Sequence, residues 1–143
     1  MRIIAIDWGI KGMGISISDP LKITAQPLIN YFFNKSYNYL EALNVIEEIV
    51  AKYNNDIEKI IIGYPLTLSG NKSSQTHDVE EFTENLKKYY SEKGNIKVLL
   101  YDERLTTKLA MSQFGDRKDW KEKKDMYSSK VLLEEYLSNL IND

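Results

Sequence analysis

The sequence of 143 residues contains no cysteine. Disulfide bonds, thiolate zinc sites and a cysteine nucleophile are therefore excluded together. No apolar run reaches the roughly 20 residues that a membrane-spanning helix requires. The charge of Asp7 also comes too early for the apolar region of a signal peptide. These absences predict a soluble cytoplasmic protein with no role at a membrane.

An excess of charge of either sign is also missing, because the net charge is −2 at pH 7. Such a protein has no global attraction for nucleic acid, so any contact must come from a local patch. The basic stretch 117–124 is the candidate patch, and its cations are Arg117, Lys118, Lys121, Lys123 and Lys124. Trp120 lies in the same stretch and is a candidate for stacking on a base. The single histidine, His77, is expected at the surface.

The length fits a single domain, residues 1–143, that can bury a core without disulfides. Apolar periodicity and turn residues predict strands at 2–7, 14–18, 23–29, 59–63 and 96–101, and helices at 40–53, 78–90, 106–114 and 125–140. The three successive strands predict an antiparallel meander, with Pro27 marking an edge strand. The later alternation of strands and helices predicts parallel crossovers. The expected fold class is α/β, a mixed five-stranded sheet flanked by helices.

Asp7 is the most informative residue of the chain. It ends the apolar run Ile3-Ile4-Ala5-Ile6, and a carboxylate at the end of a buried strand is costly unless something compensates its charge. Metal ions and bound phosphate groups are the usual compensators at such a place. Glycines at positions 9, 12 and 14 let the backbone turn tightly and approach a ligand closely.

Further acids follow the last predicted strand and open the last predicted helix. Asp102 and Glu103 come directly after the apolar run that ends at Tyr101, and Asp125 begins the final helix. Taken alone, Asp125 fits a helix cap, and Asp102 with Glu103 fits a solvated loop. The first and last strands can be neighbours in a sheet of this order, however. If they are parallel, these acids come to the same sheet edge, where α/β proteins bind ligands.

Several acids that lie close together cannot all stay ionised unaided. A pair of Mg²⁺ or Mn²⁺ ions resolves this repulsion, because hard cations prefer carboxylate oxygens. Two such ions form the clamp used for in-line attack at phosphate. The acids therefore predict metal-dependent hydrolysis of phosphodiester bonds, without choosing between RNA and DNA. Lys11 and Arg104 flank them and are candidates for contact with phosphate oxygens.

Five blocks of the sequence, in order, resemble the YqgF/RuvX family, described as Holliday junction resolvases and pre-rRNA processing nucleases. They lie at 6–14 (similar to D-x-G-x-K-R-x-G), at 18–20 with 24–28, at 63–66 with Gly70 and Gln75, at 102–107 (D-E-R-L-T-T), and at Asp125 with 132–137. The match covers nearly the whole chain. It departs from the family pattern at Gly12, where arginine is usual, at Thr67, where asparagine is common, and at Ser128-Ser129, which replace an alanine pair.

This resemblance implies an RNase H-like fold and a metal-dependent nuclease. By position, Asp7, Glu103 and Asp125 would be the catalytic acids and the ligands of two Mg²⁺ or Mn²⁺ ions, with Asp102 in a supporting role. The implied activity is 5′-end maturation of pre-16S rRNA, with ribosomal particles as further partners. Resolution of Holliday junctions in branched DNA is the alternative, and it leaves open whether the protein is a monomer or a homodimer.

Two other classes of function remain open at this point. A nucleotide-binding module of the sugar-kinase type opens with a similar strand and glycine pattern, but that fold needs a second domain and a longer chain. A non-catalytic partner of the ribosome or of transcription would keep the fold without the chemistry. The retained acids argue against the second class, since a binding protein has no need of a buried carboxylate cluster.

Overall fold

The computed structural model describes residues 1–9, 11–64, 74–102 and 106–142. Its strands are β1 (Arg2–Trp8), β2 (Gly12–Ser18), β3 (Ala25–Phe32), β4 (Ile57–Tyr64) and β5 (Lys97–Asp102). Its helices are α1 (Tyr39–Lys52), α2 (Ser74–Lys93), α3 (Thr106–Phe114) and α4 (Trp120–Asn142). The predicted order of strands and helices is confirmed. No described helix has the length and apolar character to cross a lipid bilayer.

The strands form one mixed sheet in the order β3-β2-β1-β4-β5. β1, β2 and β3 pair antiparallel, as the short connections predict, whereas β1, β4 and β5 run parallel. The first and last strands are parallel but are not neighbours, the arrangement that the sequence had left possible. β4 lies between them and pairs with both, Ile62 with Ile6 of β1 and Gly63 with Tyr101 of β5. Because all three run in one direction, their carboxyl ends still meet at one edge.

Pro27 lies on the edge strand, as predicted. β3 pairs only with β2 in the described sheet, so the missing N–H of the proline costs no ladder hydrogen bond on the open side. The register also shifts beside it, since Ile15 pairs with Ile29 and Ser16 with Pro27. This bulge adds one residue to β3 and bends the edge of the sheet.

The two faces of the sheet carry separate clusters of buried apolar residues. On one face, Ile4 and Ile6 of β1 pack with the apolar stripes of α1 and α2. On the other face, Ile3 and Ala5 pack against α4, mainly through Leu132, Leu133, Tyr136 and Leu137. β1 is therefore buried on both faces, as its continuous apolar run predicts.

Several boundaries and exposures differ from the sequence predictions. Residues 120–124, which precede the predicted helix 125–140, form the first part of α4, where the N–H groups of Glu122 and Lys123 donate to the carbonyl of Asp119. Helix α2 extends beyond the predicted 78–90 at both ends. Leu40 and Leu140 are exposed, although their helical spacing with the other apolar residues of their helices favours burial. His77 is exposed, as predicted.

Candidate active site

Asp7 lies near the carboxyl end of β1 and is only 8% exposed. Side chains alternate between the faces of a strand, so Asp7 shares the α4 face with Ile3 and Ala5. It pairs in register with Gly14 of β2. The predicted strand-end carboxylate is therefore buried on the face that α4 covers.

Gly14 is the point at which α4 touches the sheet. A Cβ atom built on it would lie 1.9 Å from the carbonyl carbon of Asp125 and 2.2 Å from the nitrogen of Met126. No side chain fits in this space, so a residue larger than glycine would push the backbone of α4 away. Because Gly14 pairs with Asp7, the contact places Asp125 beside the end of β1.

The side chain of Asp125 points toward the same end of β1. A Cβ atom built on Gly9, which directly follows β1, would lie 3.9 Å from Asp125 Oδ2. The structure thus brings together two of the three predicted catalytic acids, Asp7 and Asp125. Glu103, the third, lies outside the described residues. Among the residues that are described, no group of three acids or histidines is arranged to hold a metal ion.

The carboxylate of Asp125 is in an unfavourable environment. Burial raises its pKa above the ordinary value, and the nearby Lys124 only partly opposes this shift. Within the described part of the chain it has no hydrogen bond or ion pair. A half-buried acid of this kind gains most from a cation close by.

Asp102, expected to support the site, ends β5 and is exposed. It pairs in register with Tyr64, one residue beyond the row formed by Gly63 and Tyr101. Two strand spacings separate β5 from β1, which amounts to roughly 9.5 Å. Asp102 therefore lies at the predicted edge but is not a neighbour of Asp7 across a strand pair.

Lys11 lies in the turn between β1 and β2, close to the acids, and its side chain is exposed. The turn is closed by a hydrogen bond from Gly9 N to Gly12 O at 2.8 Å, and Phe33 N donates to the carbonyl of Lys11 at 2.8 Å. These contacts fix the backbone and leave the ammonium group in solvent. Arg104 lies outside the described residues.

Gly12, which replaces the usual arginine, is buried where β2 meets β3. A Cβ atom built on it would lie 2.2 Å from the carbonyl oxygen of Tyr31. An arginine at this position would therefore require β3 to move. The departure from the family pattern is consistent with the close pairing of β2 and β3 in this chain.

The basic stretch divides into cations with and without partners. Asp119 binds Arg117 through Nε at 3.4 Å and Lys123 through Nζ at 3.5 Å, and it accepts a hydrogen bond from the hydroxyl of Tyr127 at 2.9 Å. These contacts hold the pKa of Asp119 below its ordinary value, the tyrosine hydrogen bond being the main cause. Arg117 also lies over the Tyr127 ring. Arg117 and Lys123 therefore stabilise the start of α4.

The other cations of the stretch, Lys118, Lys121 and Lys124, are exposed and make no ion pair with described residues. Trp120, predicted as a stacking surface, is half-buried and stacks on Tyr127 with the rings 7° from parallel. Phe114 also stacks on Tyr127. One face of the Trp120 indole is thus already occupied by the protein.

The polar positions of β2 are buried, although the alternation of small or polar with apolar residues at 14–18 favours a half-buried strand. All seven residues of β2 are buried. Ser16 Oγ lies 2.6 Å from Ser129 Oγ of α4, and Ser129 donates to the carbonyl of Met126 at 2.7 Å. The sequence signal for this close packing was the presence of small residues in both β2 and α4. In α4 they are Ser128 and Ser129, which replace the family's alanine pair.

Related sequences match this chain over nearly its whole length. A family model described as "RuvX: Holliday junction resolvase" matches residues 1–139. A Mycoplasmopsis pulmonis protein named "Putative pre-16S rRNA nuclease" is 37% identical over 146 residues, covering 99% of this chain and 95% of that protein. A protein of the same name from Sulfurihydrogenibium sp. is 36% identical over 141 residues, covering 97% of this chain and 91% of its own length.

Two solved structures resemble the fold at low sequence identity. Thermus thermophilus RuvC in complex with Holliday junction substrate has a TM-score of 0.57 at 13% identity and covers 99% of this chain and 96% of its own. The yeast mitochondrial Holliday junction resolvase Ydc2 has a TM-score of 0.54 at 12% identity and covers 94% of this chain and 77% of its own. The predicted RNase H-like fold is confirmed. With the family model spanning nearly its full length, this chain belongs to the RuvX family.

Proposed function

We propose that this chain is a divalent-metal-dependent nuclease that hydrolyses phosphodiester bonds during 5′-end maturation of pre-16S rRNA. The observation that carries the proposal is the meeting of Asp7 and Asp125 at the carboxyl end of β1, enforced by the close contact of α4 with Gly14. The names of the relatives support pre-16S rRNA as the substrate. This substrate implies that the protein is soluble and acts in the cytoplasm.

The residues present fit a hard divalent cation. The half-buried carboxylate of Asp125 has a raised pKa and lacks a partner within the described part of the chain, and Asp7 is buried beside it. Carboxylate oxygens are the ligands that Mg²⁺ and Mn²⁺ prefer. Asp7, Asp125 and, by resemblance, Glu103 would hold one or two ions. When bound, such ions supply activation of water and neutralisation of charge at phosphate.

The protein's own contribution is to position the acids and the substrate backbone. β1 and α4 hold two carboxylates on a rigid sheet edge, which reduces the entropy lost when the reacting groups are aligned. Lys11, Lys118, Lys121 and Lys124 are exposed cations suited to phosphate oxygens, and we include Arg104 on sequence position alone. Arg117 and Lys123 would contact nucleic acid only in addition to their bonds with Asp119.

The proposal is tested by incubating the protein with a precursor rRNA in Mg²⁺ or Mn²⁺. We expect cleavage that leaves a 5′-phosphate and a 3′-hydroxyl. Asp7→Asn removes a ligand charge worth several kcal/mol of transition-state stabilisation, so the rate should fall by about 100-fold or more. Asp116→Asn makes the same chemical change at an exposed position and serves as the matched control. Equal rates for Asp7→Asn and the wild-type protein would exclude the assignment.

Holliday junction resolution is the second candidate, favoured by the description of the family model. It would use the same acids, but two coordinated cuts require two sites and hence a homodimer. A four-way DNA junction should therefore be assayed beside the precursor rRNA, with the molar mass measured in solution. Paired cleavage of the junction by a dimer, without cleavage of the RNA, would replace the first candidate with the second.

A further inference from the structure

Helix α4 is broken close to the proposed catalytic acid. Lys123 has φ −121° and ψ 18°, which are not helical angles, although residues on both sides are helical. At a helix N-terminus, a side chain commonly accepts a hydrogen bond from the second or third N–H group. Met126 is the third residue after the break, and its N–H corresponds to the third of these groups.

The acceptor comes from the far edge of the sheet. Asn30 of β3 accepts a hydrogen bond from Met126 N at 2.8 Å through its side-chain Oδ1. In an ordinary N-cap, the residue that starts the helix accepts from the second or third N–H group with its own side chain. Asn30 performs this role from 96 residues away. Lys123, at the break itself, has no side-chain acceptor.

The hydrogen bond acts on the peptide group that Asp125 shares with Met126. The same peptide group is pressed against Gly14, since a Cβ there would lie 2.0 Å from the carbonyl oxygen of Asp125. Asn30 pairs with Gly14, and Gly14 pairs with Asp7, so the three form one row across β3, β2 and β1. Asn30, at one end of the row, binds the backbone between Asp125 and Met126, and Asp7 lies at the other end.

We propose that Asn30 is a positioning residue that holds the Asp125 backbone, and thereby its carboxylate, in place beside Asp7. The inference rests on the proposed function for its consequences in catalysis. The contact on the other side of Met126, its carbonyl with Ser129, restrains the helix but not the Asp125 peptide. Asn30 therefore sets the position of the acid, whereas Ser16 and Ser129 set the rotation of the following turn.

The test compares Asn30→Ala with Asn30→Asp under saturating Mg²⁺. Loss of a residue that orients a metal ligand lowers activity by about 10- to 100-fold. We expect Asn30→Ala to lower kcat by this amount while KM for the precursor RNA stays within roughly twofold, since substrate binding is not affected. Asn30→Asp keeps an oxygen acceptor in the same place and should restore most of the lost kcat. Failure of this rescue would overturn the inference.

A matched control separates positioning from general loosening of α4. The hydroxyl of Tyr136, further along α4, accepts from Lys59 Nζ of β4 at 2.7 Å. Tyr136→Phe removes this one hydrogen bond between α4 and the sheet, far from Asp125. We expect a loss of thermal stability similar to that of Asn30→Ala, with unchanged kcat. An equal fall in kcat in both variants would show that any weakening of α4 has the same effect, and the inference would be wrong.

A readout that does not depend on activity tests the contact itself. Hydrogen exchange of the Met126 amide should be faster in Asn30→Ala and close to wild type in Asn30→Asp. If the wild-type protein cleaves neither substrate, or Asp7→Asn cleaves normally, the proposed function fails, and the catalytic role of Asn30 fails with it. If Asp7→Asn is inactive but Asn30→Ala has full activity, only the positioning role is excluded.

Discussion

The two faces of β2 are built from different kinds of residue, although both are fully buried. Met13, Ile15 and Ile17 pack with the apolar stripes of α1 and α2. Gly14 and Ser16, between them on the strand, meet α4 directly. One strand therefore joins an aliphatic core to a face that excludes large side chains.

The two faces of β2 therefore have different roles. One mainly stabilises the fold, and the other positions the candidate site. Burial of aliphatic side chains supplies about 25 cal/mol for each Å² of apolar surface removed from water. Because the α1–α2 face holds the larger cluster of buried apolar residues, it contributes most of the core's hydrophobic free energy. The α4 face gives up part of that gain at Gly14 and Ser16. In return, the backbone of α4 reaches the sheet, and Asp125 lies beside Asp7. The odd-numbered residues of β2 thus stabilise the fold, and its even-numbered residues position the candidate site.

Gly14→Ala should cause the largest loss of activity among substitutions in β2. The new methyl group would lie 1.9 Å from the carbonyl carbon of Asp125, so α4 has to move by a distance on the scale of an ångström. A misplacement of about 1 Å is enough to lower a rate by about 100-fold. The measurement is kcat for precursor RNA cleavage in Mg²⁺, with thermal unfolding recorded for the same samples.

Gly94→Ala is the control for this substitution. Gly94 has φ +72°, and a Cβ atom built on it would have nothing within 4 Å, so alanine is strained there but meets no neighbour. We expect a stability cost of about 1 kcal/mol without loss of kcat. If Gly14→Ala keeps wild-type kcat, the close contact between Gly14 and α4 has no role in catalysis, and the proposed division between the faces is wrong.

Ile15→Ala, one residue along the strand, should have the opposite profile. Ile15 is fully buried against the α1–α2 face, and its truncation leaves a cavity that costs about 2–5 kcal/mol. We expect kcat of the folded fraction to stay within roughly twofold of wild type, because α4 is not displaced. Denaturant titration measures the stability, and Ile23→Ala at an exposed position is the matched control. A loss of kcat equal to that of Gly14→Ala would contradict the comparison.

Much of the fold was predictable because its signals are local. The continuous apolar run of β1 predicts burial on both faces, and both are buried. The sequence Asp19-Pro20 favours a turn, and Lys22 N donates to Asp19 O there at 3.0 Å. The start of α4 was not predictable, because it depends on the contacts of Asp119 and Trp120 with Tyr127, and the residues just before the predicted helix 125–140 are mostly polar.

The candidate site was predictable only where one residue carries the signal. Asp7 was identified from its place at the end of a strand, and its burial is confirmed. Asn30 could not be found from sequence, since its role requires the register of β3 on β2 and the break at Lys123. The strand order placed β4 between the first and last strands, which no local pattern indicates. The role of Glu103 remains a prediction.

The comparison extends to two acids on either side of the break at Lys123: Asp119, which directly precedes α4, and Asp125, which lies within it. Asp119 lies among Arg117, Lys123 and Tyr127, which lower its pKa, whereas burial raises the pKa of Asp125 from the ordinary value of 3.8. The ionised form of Asp119 therefore stabilises the folded state, and the ionised form of Asp125 destabilises it. Neighbouring side chains therefore stabilise the charge of Asp119, whereas those around Asp125 do not compensate the cost of burying its charge.

Asp125→Asn should accordingly stabilise the protein at neutral pH in the absence of divalent ions. The wild-type penalty is absent well below pH 3.8 and grows as the pH rises through the elevated pKa of the folded state, so the advantage of the variant should grow over the same range. The melting temperature should rise by about 2–4 °C for each kcal/mol of penalty removed. Asp119→Asn, the matched control, should lower it at neutral pH, with a difference that shrinks as the pH falls through the depressed pKa of Asp119.

Adding Mg²⁺ should make the wild-type protein more stable than Asp125→Asn, the reverse of the order expected without the ion. An ion that binds only the folded state stabilises it by mass action, and the variant lacks one of its proposed ligands. Asp119→Asn should respond to Mg²⁺ as the wild type does, because Asp119 lies outside the proposed site. If Asp125→Asn is less stable than wild type in a chelator, Asp125 is a structural residue supported within the fold. The contrast between the two acids would then be lost, and with it the argument that the α4 face gives up stability to hold a charged group.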